Sequence, residues 1–133
     1  MPGQHDLSTL LSQMNPELGK TYAFCVIDEA VFSKLPFRPL GFFQEREGMT
    51  IILEPEVATK LGLPYDYLGT QITLNVHSDL KAVGFIAAIT NCLAAEGISV
   101  NVFSAMYHDH LFVRSDDAVR TMDLLQVLSK GSQ

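Results

Sequence analysis

Between Gln71 and Val113 the hydrophobic pattern of the chain changes period twice. Ile72, Leu74 and Val76 alternate with polar residues, as a strand with one buried face does, whereas Val83, Ile86, Ile89 and Leu93 recur at helical three- and four-residue steps. Gly97 falls where that stripe ends, and a glycine there closes a helix in the left-handed conformation without a Cβ clash. A second strand, Ser99 to Met106, is therefore expected at once, parallel to the first in one sheet and reached by a right-handed crossover. His108-Asp109-His110 reads as a tight reversal into a third strand, Leu111 to Arg114. Ser115 is placed to cap a last helix, with Asp116 and Asp117 at its positive end and Ala118, Met122, Leu125 and Leu128 as its buried stripe. The predicted order is βαββα.

The first half is less regular. Asp6 can cap a short helix whose Leu7, Leu10, Leu11 and Met14 share a face, and Pro16 stops it. Tyr22 to Ile27 is a continuous apolar run rich in β-formers, read as a central strand covered on both faces. From Asp28 to Leu40 no period persists across Pro36 and Pro39, which predicts a compact, partly buried loop. Gly41 to Glu54 predicts a hairpin turning near Glu47-Gly48. Pro55 suits the first turn of a helix through Leu61, with Glu56 near its positive end, before Gly62 and Pro64.

Composition narrows the function classes. With 133 residues, 47% of them hydrophobic and 18% charged, the chain has room for one domain or for two small units sharing a core. A net charge of -6, with nine scattered basic residues, argues against nucleic acid or an acidic membrane surface as partner. No apolar run approaches the roughly 20 residues that span a bilayer, and the N-terminus lacks the pattern of a signal peptide. A cytoplasmic protein is expected. Cys25 and Cys92 have no second cysteine at ligand spacing and read as buried free thiols.

The residues offer little for catalysis. Ser78 and Ser104 lie outside a Gly-x-Ser-x-Gly turn, and Gly84 lacks the spaced partners of a phosphate loop, so its simplest role is close packing at a helix start. No catalytic residue and no cofactor is assigned. His77, His108 and His110 beside Asp109 could form a metal centre, but without a His-x-x-x-His pair or a cysteine ligand the stronger reading is local satisfaction of the turn, and no metal is assigned. Small-ligand binding draws more features together. The turn from His77 to Gly84 leads into a helix whose first amides have no internal partner and can hold a carboxylate. Asp109, at the end of a neighbouring strand, can accept hydrogen bonds from an ammonium group; it also reads as a turn-stabilising side chain.

Ser78-Asp-Leu-Lys-Ala-Val-Gly-Phe85, Leu93-Ala-Ala-Glu-Gly-Ile-Ser-Val100 and Tyr107-His-Asp-His-Leu-Phe-Val113, set in the βαββα order, resemble the ACT domain. More closely, they resemble small bacterial proteins built from two ACT-like units, relatives of the animal cytosolic arginine sensors. Val83 stands where common ACT domains carry a proline before Gly84. The resemblance implies an α+β, ferredoxin-like fold with a mixed or antiparallel sheet and helices on one face. Residues 67–133 would be the ACT-like unit and residues 1–66 a degenerate one, the two folding together, with one half able to supply the other's missing strand. It places Asp109 in the ligand-contacting turn and Val83 and Gly84 in the opposing loop. The full set expected to touch a ligand is Ser78, Asp79, Leu80, Val83, Gly84, Phe85, Ser104, His108 and Asp109. The expected function is amino-acid binding by a regulatory homodimer or higher homo-oligomer without catalysis. The alternative is an assembly module that keeps the fold and has lost the ligand.

Overall fold

Two groups of elements, each around its own core, make up the chain in the computed structural model, which describes residues 6–79 and 81–132. One unit comprises Met1–Lys20 and Thr70–Gln133; the other is Thr21–Gly69. Strand β1 (Pro16–Ile27) contributes its first residues to the former and the rest to the latter.

In the first unit the strand order is β1, β4 (Leu68–Leu74), β6 (Asp109–Arg114), β5 (Val100–Ser104). The helices are α1 (Leu7–Ser12), α4 (Phe85–Ala95) and α5 (Ala118–Lys130). The expected βαββα series runs from β4 to α5, and Pro16–Lys20 of β1 lies beside β4 as a further strand. Strand β6 lies between β4 and β5, so the two strands joined by α4 share a sheet without being neighbours. Ile72 and Leu74 from β4 meet Leu111 and Val113 from β6 in one buried cluster with Leu10, Leu11 and Met14, with Phe85, Ile89 and Leu93 of α4, and with Leu125 of α5. Because strand side chains alternate faces, these contacts set all three helices on one side of this sheet.

Helix α1 shows what such packing supplies. It has six residues, far fewer than the roughly 12–15 that make an isolated helix even marginal in water. Asp6 caps it, accepting from the Thr9 N–H at 3.0 Å and the Thr9 hydroxyl at 2.6 Å. At its other end the Ser129 hydroxyl of α5 donates to the Ser12 carbonyl at 3.0 Å, satisfying a group that a helix end leaves unpaired. Leu10 and Met14 are fully buried, each worth about 1.5–3 kcal/mol of hydrophobic stabilisation.

In the second unit the order is β2 (Gly41–Gln44), β3 (Met49–Leu53), β1, with antiparallel pairing from Ala23↔Leu53 to Ile27↔Met49. Ala23, Cys25 and Ile27 pack with Met49, Ile51, Leu53 and with Ala58 of α3 (Pro55–Lys60). The hairpin closes where expected, the Glu45 N–H donating to the Gly48 carbonyl at 2.9 Å. Pro55 opens α3 with Glu56 in its first turn. The loop after β1 contains a single helical turn, α2 (Glu29–Phe32), before the proline-interrupted segment.

Four expectations need correction. Strand β1 begins at Pro16 rather than Tyr22, because Glu17 to Lys20 are exposed and mix Leu18 and Gly19 with charged residues, so they carry no apolar alternation. It is covered on one face only: Cys25 and Ile27 are buried whereas Val26 is 62% exposed. The reversal lies at Ala105–His108, closed by the Ala105 N–H donating to the His108 carbonyl at 3.1 Å, so that Asp109 and His110 already belong to β6. Ser115 starts a short 3-10 turn, Ser115–Asp117, and the residue before α5 is Asp117.

If α1 is integral to the first unit, Leu10→Ala costs about 2–5 kcal/mol, the usual penalty for emptying a packed leucine site. Urea unfolding followed by circular dichroism measures this; a loss well under 1 kcal/mol would mean that the helix is an appendage.

Candidate functional site

A cleft of about 140 Å³ lies within the first unit between the start of α4 and the paired ends of β5 and β6. Its shape follows from two local features. The first is Gly84, the residue capping α4, which holds φ at 93° and has no side chain with which to cap the helix. The first intrahelical bond runs from the Ala88 N–H to the Gly84 carbonyl at 2.9 Å. The N–H groups of Phe85, Ile86 and Ala87 therefore have no partner inside the helix, and these residues line the cleft. A Cβ built on Gly84 would meet only Leu7 Cδ2, at 3.7 Å, an ordinary contact. Close packing does not demand glycine there; the positive φ does.

The second feature is the alternation of β6. Asp109, Leu111 and Val113 are buried on the face that carries the helices, and His110 is on the other. Asp109 pairs with Ser104 at the strand ends, is only 5% exposed, and lines the cleft opposite the helix start. No hydrogen bond or ion pair joins its carboxylate to another described residue. Among described residues no fully sealed side-chain nitrogen or oxygen lacks a partner, so the Asp109 oxygens reach solvent through the cleft. A buried carboxylate without a counter-charge is costly, and an arriving cation relieves that cost.

Of the expected ligand-contacting residues, the structure brings Ser78, Asp79, Gly84, Phe85, Ser104 and Asp109 together around this cleft. Asp79 also accepts the Lys81 N–H at 2.8 Å, holding the loop before the helix. Val83 is 86% exposed and does not line the cleft. His108 does not line it either. Leu80 lies outside the described residues. Ala82, Ile86 and Ala87 were missed as lining residues; the last two follow from the first turn of α4, whose side chains flank its free amides.

The histidines serve elsewhere. His77 stacks at a tilt on Tyr107, 5.5 Å between ring centres, and the rings of His108 and His110 are 6.4 Å apart. Among described residues no three His, Cys, Asp or Glu side chains are grouped as a metal site requires. His110 Nδ1 lies 3.2 Å from Gln71 Nε2 and 3.0 Å from Thr73 Oγ1. Nδ1 accepting from that amide places the ring proton on Nε2 and favours neutral imidazole. Burial first, then the neighbouring His108, lower the pKa of His110, with Asp109 opposing. Burial raises the thiol pKa of both Cys25 and Cys92.

A second hollow, of about 220 Å³, lies in the Thr21–Gly69 unit between Tyr22, the Phe37–Leu40 loop and α3. It is larger, but its cation, Arg38, is exposed. The smaller cleft instead sets helix amides without an intrahelical partner opposite a buried carboxylate.

Models of the ACT domain match residues 2–69 and residues 69–127. The chain belongs to the ACT-domain family. A solved protein of unknown function from Vibrio cholerae, described as a possible transport protein, is 41% identical over 92% of this chain and 95% of its own, with a TM-score of 0.83. A protein from Agrobacterium tumefaciens is 17% identical, covering 86% of this chain and 87% of its own at a TM-score of 0.64. The aspartate kinase of Clostridium acetobutylicum, described as an allosteric enzyme, is 7% identical over 87% of this chain and 34% of its own, with a TM-score of 0.63. The last two similarities concern fold alone. No curated protein matches this sequence. The α+β, ferredoxin-like arrangement that the resemblance implied is thus the ACT fold, and no helix among the described residues is long and apolar enough to cross a membrane.

The His110 environment sets a pH dependence. Its folded pKa is below the unfolded value of about 6.5, so between the two the unfolded chain binds more protons and stability falls as pH falls. The contribution is intact above about pH 6.5 and is lost as pH falls through that value toward the folded pKa. His110→Gln is expected to lose less stability than the parent between pH 7.5 and 5.5 in urea unfolding; identical losses would contradict this assignment.

Proposed function

We propose that this protein is an amino-acid-binding regulatory ACT protein without catalysis of its own, acting in the cytoplasm. ACT domains are generally regulatory ligand-binding modules. The observation that carries the reading to this chain is the nearly buried, unpaired Asp109 facing the uncapped start of α4. A zwitterion answers both halves. Its carboxylate takes the helix amides, where the dipole favours negative charge, and its ammonium takes Asp109 in charge-assisted hydrogen bonds. The hydroxyls of Ser78 and Ser104 complete the polar lining.

The same side chains suit binding better than turnover. Acyl or phosphoryl chemistry needs a nucleophile held by a base. Neither serine of the cleft has a histidine beside it in the lining.

A homodimer or higher closed oligomer belongs to this proposal. Strand β2 pairs on one side only and exposes Phe42 by 51% and Phe43 by 66%, and an open apolar edge is a template for pairing. These features also favour the second reading, an assembly module in which the cleft is vestigial. A light-scattering mass of one chain at micromolar concentration would remove oligomerisation from either reading.

Calorimetry and thermal unfolding with the twenty amino acids separate the two readings. A ligand at about 100 times its dissociation constant adds roughly 2.7 kcal/mol to unfolding when it ignores the unfolded chain. Asp109→Asn keeps the shape, removes the charge, and is expected to weaken binding by about 1.5–3 kcal/mol. Silence from all twenty at millimolar concentration, or equal binding by Asp109→Asn, leaves the assembly module standing.

A further inference from the structure

The lining of the cleft is asymmetric in charge. Asp79 and Asp109 both border it, and none of the described lining residues is lysine, arginine or histidine. Among the described lining residues, an anionic group inside is received by the first amides of α4 and by two hydroxyls. One carboxylate fits that provision. A second would lie against the Asp109 carboxylate with no cation among the described lining residues to meet it, and like charges in a partly desolvated site repel strongly.

We infer that the cleft discriminates among amino acids by charge, taking those with one carboxylate and an uncharged side chain and refusing dicarboxylates. The inference rests on the reading that the cleft binds an amino acid, and adds which class it admits. The ammonium is a required part, so a hydroxy acid of the same size is excluded as well.

The test is calorimetry on the full chain with L-alanine, L-serine, L-aspartate and L-lactate, each repeated on Asp109→Asn. Alanine or serine is expected to bind at least about tenfold more tightly than aspartate or lactate, consistent with the contribution of a single charged contact. Ala87→Lys adds a cation at an exposed position of α4 and is expected to narrow the gap between alanine and aspartate. If aspartate binds the parent as tightly as alanine, and the binding is lost in Asp109→Asn, the class is wrong while amino-acid binding at this cleft stands. If no amino acid in the wider panel binds, the inference falls together with the reading beneath it.

Discussion

The alternation of side chains along β6 is the constraint on which the first unit depends. Leu111 and Val113 are fully buried under the helices, and a shift of register by one residue would expose both. With that register fixed, Asp109 is carried to the helical side at the end of the strand and His110 to the other side. The hydrophobic core thus selects the position of a charge that it does not itself require. Burial of Asp109 follows from its neighbours along the strand rather than from any partner of its own.

The opposite wall has a similar logic. Gly84 turns the chain into α4 at a positive φ and offers no capping side chain, while Ile89 and Leu93 anchor the helix in the core. Packing farther along the helix holds its uncapped start in place. Each half of the cleft taken alone is incomplete, one a carboxylate without a counter-charge and the other a set of amides without an intrahelical partner. Facing each other across a small space, they become complementary to a molecule with two opposite charges. Groups already held in place by the core need little ordering on binding, which lowers the cost of the proposed interaction.

Much of this was legible in the sequence, where periodicity was strong. The alternation of Ile72, Leu74 and Val76 and the stripe through Ile89 and Leu93 announce β4 and α4, and Gly97, with φ at 73°, closes that helix as expected. The errors fall where polar residues conceal a period. His108-Asp109-His110 looks like a turn by residue type, yet Asp109 and His110 continue the two-residue alternation of β6. The first residues of β1 are mostly exposed and so carry no apolar signature. Val83, read by resemblance as a ligand contact, points to solvent, because sequence adjacency to Gly84 does not fix direction at a helix start. Ala87 escaped notice since a small residue one turn into a helix has no distinguishing chemistry until its neighbours are known.

The central claim is that free amides at the start of α4 and the carboxylate of Asp109 grip one small zwitterion. Its most direct measurement is a titration of the isotopically labelled chain with L-alanine, followed by amide proton and nitrogen resonances. The account predicts saturable shifts concentrated at Phe85, Ile86 and Ala87, together with Ser104 and Asp109, with the Asp109 carboxyl carbon responding at the same concentrations. Absence of any shift at millimolar ligand, or shifts confined to the Thr21–Gly69 unit, would contradict it.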